Sequence, residues 1–200
     1  MQFFMFLCFV ISMKKLFLVL GLILISAASA MAMSTPRWSY FPLNIYIEQG
    51  NQGSATVQRA FETWQANSAA ILKFFYRTTG PFAKTAQIRV TFTDDIPAEK
   101  PYRIVRQNAT GYYAQGFFIH LDIQFRKTDE NGKPISQTKL YSAALQAVGG
   151  AMGVNCLNSK DAVMSCNADY TKTVLTQDDV EALVSVYKYD KNKNVYRMRY

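Results

Sequence analysis

One run, Gln146-Ala147-Val148-Gly149-Gly150-Ala151-Met152-Gly153-Val154-Asn155-Cys156, constrains this 200-residue chain more than any other. Leu140, Ala144, Ala147, Val148 and Ala151 recur at helical spacing and predict a helix from about Thr138 to Met152 with an apolar face. Gly153 follows directly and is the residue type that lets a chain leave a helix. Gly149 and Gly150 inside the helix cost about 1 kcal/mol each relative to alanine. That cost is pointless unless another element approaches closely or a cleft is kept open beside the helix. The run therefore predicts a helix central to the fold.

Two more helices and four strand-like segments surround it in sequence. A helix begins after Gly53, with Ser54 as its cap and Val57, Phe61 and Trp64 on one face. Another begins at Thr176, whose spacing to Asp179 resembles a capping box with Asp in place of Glu, and buries Val180, Leu183, Val184 and Tyr187. Alternation marks strands at Leu43/Ile45/Ile47, Ile88/Val90/Phe92 and Ile119/Leu121/Ile123/Phe125, and Leu72 to Tyr76 is a hydrophobic run. Asp94 to Gly116, with Pro97, Pro101, Tyr102, Tyr112 and Tyr113, reads as a loop, as does Lys127 to Gln137 around the turn signal Asn131-Gly132. The order strand-helix-strand-strand-strand-helix-helix suits one α+β domain with a twisted sheet packed on helices. No internal repeat or low-complexity tract interrupts it.

Anchored on Gly153, the central run resembles the frame H-E-x-x-H-x-x-G-x-x-H with a Met-turn that marks the metzincin zinc proteases. Gln146 stands at the first His, Ala147 at the Glu, Gly150 at the second His and Cys156 at the third; Ala162-Val163-Met164-Ser165 is similar to the Met-turn. The flanks agree. Arg37-Trp38 before Pro42 to Ile47, the Ala60-Phe61…Trp64 helix, Ala86 to Phe92, Leu140 to Leu145 and Leu175 to Leu183 follow the order of a matrixin catalytic domain. Gln87 stands where that family usually has Asp. The resemblance runs from about Pro36 to Tyr187 and implies a mostly parallel sheet of about 4–5 strands with a C-terminal helix after the Met-turn. It also implies that Asp94 to Gly116 precedes the edge strand over a substrate cleft.

The resemblance implies zinc, and the residues deny it a site. Such a centre needs three protein ligands and an open position for water, with a Glu to take the water's proton. Gln146 offers a neutral amide, Gly150 no side chain and Ala147 no base, and the Cys156 thiolate would be a lone soft ligand. His120 is the single histidine, so three-His coordination is excluded. His120 alternates with Asp122 along its strand, a common supporting pair at metal sites that here has nothing to orient. Ser142 and Ser165 have no histidine near in sequence. Asp94-Asp95 and Asp178-Asp179 read as turn and cap carboxylates. No catalytic residue, cofactor or metal is assigned.

Residues 1–30 carry the targeting signal. Met13-Lys14-Lys15 is a basic start, Leu16 to Ile25 an apolar core, and Ala28-Ser29-Ala30 a cleavage site before Met31. Residues 1–12 read as an extension of the gene beyond a true start at Met13; the alternative is an uncleaved anchor. Export, periplasmic or extracellular, leaves Cys156 and Cys166 as the mature cysteines. A bridge between them suits an oxidising compartment, with two buried free thiols as the alternative. In the matrixin fold these two places approach each other below the metal, so a bridge would replace a zinc-mediated link, contributing roughly 3 kcal/mol.

Without the two leader lysines, 20 basic side chains face 14 acidic ones. Several of the basic ones lie in the tail, residues 188–200, after a domain spanning 31–187. This excess suits an anionic envelope surface. No nucleic-acid motif is present. The leading reading is an exported matrixin-like pseudoprotease that binds a protein or peptide or serves a structural role. The alternatives are an active zinc endopeptidase with an atypical site and a basic envelope-surface protein acting through its tail.

Overall fold

The computed structural model describes residues 36–78, 80–97, 99–108 and 117–187; the leader, the tail, Tyr112 and Tyr113 lie outside the described residues. The fold belongs to a unit that begins at Thr35. Its elements run β1 (Leu43–Ile47), α1 (Ser54–Asn67), β2 (Phe74–Arg77), a 3-10 turn (Gly80–Lys84), β3 (Ile88–Thr93), β4 (Tyr102–Asn108), β5 (Phe118–Arg126), α2 (Gln137–Ala151) and α3 (Gln177–Tyr187). The five strands form one sheet in the order β2-β1-β3-β5-β4. All neighbours are parallel except β4 and β5. This mixed α+β sheet on three helices is the expected metzincin-like arrangement.

Strand alternation sets one face against the helices. Leu43, Ile45, Ile88, Val90, Leu121, Ile123 and Phe125 are buried there with Phe61 and Trp64 of α1 and Leu145 and Val148 of α2. Trp64 also donates its indole N–H to the Leu145 carbonyl at 2.7 Å, so the two helices are keyed as well as packed. α2 keeps the predicted apolar face and ends one residue early; its cap is Ser136, whose hydroxyl accepts from the Lys139 amide.

Five expectations need correction. The segment Asp94 to Gly116 is not all loop, because Tyr102–Asn108 forms β4. That strand is itself the edge, and β5 lies inside the sheet between β3 and β4. Ile119 is half exposed and Phe118 takes the core position, because the β4–β5 register shifts between Gln107 and Asn108. Ser54 does not cap α1; Gly53 occupies the cap and the Ser54 hydroxyl bonds the Glu48 carbonyl. On α3 Leu183 is fully buried, while Val180, Val184 and Tyr187 are only half-buried because α3 lies at the margin of the core.

Candidate functional site

From Leu140 to Ala151 every residue of α2 is buried except Gln146, which is partly open. Its amide oxygen accepts a 2.9 Å hydrogen bond from the Tyr102 hydroxyl of β4. Its nitrogen faces the carbonyls of Val163 and Ser165 at 3.4 Å each. Burial pushes the Tyr102 phenol well above its ordinary range, with Tyr170 adding to the effect, so Tyr102 stays protonated and remains a donor. Gln146 thus links the edge strand to the turn around Met164. Ala147 is wholly buried and Gly150 faces β4. A Cβ added at Gly150 would lie 3.3 Å from the Ile104 Cδ1, and Arg106 donates to the Gly150 carbonyl at 3.3 Å. Side chains of β4 therefore cover the place where a second imidazole would project.

The other side of α2 holds the turn. At Gly149 a Cβ would run into the Met164 sulfur and lie 2.8 Å from Trp64 Cζ2. Here glycine serves close approach, as its cost in the helix implied. Gly153 leaves the helix with φ +87°, and a Cβ there would strike the Pro36 carbonyl. The amides of Val163 and Met164 donate to the fully buried Asp179 carboxylate at 3.0 and 2.9 Å. The same carboxylate accepts from the Thr176 amide and hydroxyl at 2.8 and 2.9 Å, which completes the expected capping box. One side chain thereby starts α3 and fixes the turn.

Cys156 and Cys166 are joined as a disulfide, with their Cα atoms 4.7 Å apart. Leu157 donates to Met164 at 2.7 Å and Cys166 to Leu157 at 2.9 Å, so the bridge closes a hydrogen-bonded loop. The bonded sulfur at Cys156 is no thiolate and cannot act as a metal ligand. Gln146 spends its oxygen on Tyr102, Gly150 has nothing to give, and zinc does not fit this donor set. Among the described residues no three His, Cys, Asp or Glu side chains cluster as metal ligands would.

His120 belongs elsewhere. Its Nδ1 lies 3.0 Å from the Ala86 carbonyl and its Nε2 3.2 Å from the Asp122 carboxylate, which also accepts from Arg89 at 2.6 Å. Partial burial pushes the Asp122 carboxyl up, but the hydrogen bonds and charges of Arg89 and His120 prevail and hold it below the usual range. The pair does form, far from Gln146 in role, as a sheet-surface network. Ser142 and Gln146 line a cavity of about 60 Å³ with Val163, Ser165 and Tyr170. Ligand pockets of roughly 300 Å³ or more are the usual scale, so this one is too small for a substrate side chain and its neighbours.

Sequence reasoning missed Tyr102, Ile104 and Arg106. Their alternate spacing after Pro101 was a strand signal, obscured by charge at Arg103 and Arg106. It also missed that Asp179 anchors the turn as well as the helix. A search of curated proteins finds no match. The family description for matrixin matches residues 38–188, which takes in every described element from β1 to α3. A sheet of this order, a helix leaving at Gly153 and a methionine turn seated beneath it have one common source: the chain belongs to the matrixin family, in a form whose described residues hold no metal-binding cluster.

Proposed function

We propose that this is an exported matrixin-fold pseudoprotease that binds a protein or peptide without hydrolysing it. The observation that carries the reading is the Tyr102–Gln146 hydrogen bond, which joins edge strand to helix where a ligand-bearing helix would turn to metal. Ala147 supplies no base, and the disulfide withholds the third ligand position. The sheet still ends in β4, and an edge strand can add an extended peptide through backbone groups alone. The leader at residues 1–30 supports export and the disulfide agrees with an oxidising compartment.

Elemental analysis of the full-length protein after mild dialysis tests the first half. Zinc at background is expected; one equivalent would sink the reading. Hydrogen exchange tests the second. An added peptide strand must protect β4 amides that point away from β5, and a peptide that binds without protecting them excludes strand addition.

A further inference from the structure

The face of the sheet turned away from the helices is as distinctive as the buried one. Across it run Arg77, Tyr46, Arg89 and Asp122 in neighbouring strands, by register. Asp122 is the one carboxylate in the five strands, and Arg89 neutralises it. At the β2 end the face carries open aromatic rings. Tyr40, Phe75 and Phe82 are each 45–48% exposed.

These rings are held, not loose. The Gln87 amide donates to the Tyr40 hydroxyl at 2.9 Å and accepts from the Asn44 backbone at 2.8 Å. Asn44 in turn accepts from Arg77 Nε at 3.0 Å. The Arg77 guanidinium lies 5.5 Å over the Phe82 ring, and Lys73 lies 5.8 Å over Phe75, the register partner of Asn44. Both are cation–π distances. Among the described residues neither Arg77 nor Lys73 makes an ion pair. The result is two cations without ion-pair partners, each against one half-open ring, with a third ring, Tyr40, tied to Arg77 through Gln87 and Asn44.

We propose that this corner is a docking surface for an acidic polysaccharide, a polymer of uronate sugars. Arginine's planar fork matches a carboxylate, and an aromatic ring offers an apolar face to the C–H face of a sugar. The low charge density argues against nucleic acid and anionic lipid surfaces. Nucleic-acid binding rests on neutralising many backbone phosphates at once, and anionic lipid surfaces take clusters of roughly 4–8 Lys or Arg. Two free cations with three rings fit a chain that carries one carboxylate per sugar ring and apolar faces between. The site shares no residue with Gln146, Tyr102 or the disulfide, so it stands or falls apart from the pseudoprotease reading.

Affinity electrophoresis of the full-length protein in polygalacturonate, neutral dextran and poly-L-glutamate tests it. Retardation by polygalacturonate and not by dextran is expected. Arg77→Ala and, separately, Phe75→Ala should each weaken it on the order of tenfold, about 1.4 kcal/mol. Removal of residues 188–200 should leave it unchanged. Equal binding of poly-L-glutamate would make the ligand an acidic peptide and overturn the proposal. So would no binding of polygalacturonate, loss confined to the tail deletion, or self-association that blocks the face. If Arg77→Ala disturbs folding, Phe75→Ala, on an exposed ring, still decides.

Discussion

The two neighbouring glycines of α2 report on two different regions. Gly149 faces Met164 and Trp64, in a corner where the buried Asp179 pins the turn. Gly150 faces Ile104 and Arg106 of β4, in a corner where the metal-binding frame has been replaced by an amide bond, a glycine and a disulfide. The first corner keeps the family frame because its shape is set by van der Waals contact and buried amides, which any residue change would violate. In the family frame the second is shaped by zinc ligands; here, with no ligand cluster among the described residues, its side chains hold the walls to one another instead.

The contrast predicts steep effects in the first corner and shallow ones in the second. Asp179→Ala strands the buried amides of Val163 and Met164, each worth roughly 1–3 kcal/mol, so a loss of about 4 kcal/mol is expected in denaturant unfolding. A loss under about 1 kcal/mol would mean the turn does not depend on that carboxylate. Next comes the bridge. Replacing Cys156 and Cys166 together by Ser should lower stability by about 3 kcal/mol on the chain-entropy account, and reducing agent should have no further effect on the variant.

Gly149→Ala should cost about 2 kcal/mol because Trp64 is rigid and cannot give way. Gly150→Ala meets only the tip of Ile104, which can shift, and the helix gains propensity; a rise of about 0.5 kcal/mol is expected. Equal thermal shifts in these two variants would erase the distinction between corners. The smallest effect is at Asp122. Its folded pKa is depressed, so its stabilisation is present above the unfolded carboxylate range and is lost as pH falls through the folded value. Asp122→Asn should lower stability slightly at neutral pH, leave it unchanged at the acid end, and so flatten the acid limb of the stability–pH curve below about pH 4.

Most of the fold was legible from short-range pattern. The three helices, the alternation of β1 and β3 and the Gly153 exit each depend on periodicity or on a single residue's backbone preference. β4 was hidden because Arg103 and Arg106 make its alternation polar and because it follows Pro101. The site was legible as a set of replaced positions, Gln146, Ala147, Gly150 and Cys156. What those replacements do instead was not, since Tyr102 lies 44 residues before Gln146.

The sequence by itself determined the family, the helix and its exit, and the impossibility of three-imidazole coordination with one histidine. These follow from residue identity and local spacing. Only the tertiary structure decided that Cys156 and Cys166 are bridged, that Asp179 holds the Met164 turn, and that β4 lies down on Gly150. Each is a contact between segments far apart in the chain, where geometry is set by how the sheet and helices share one core.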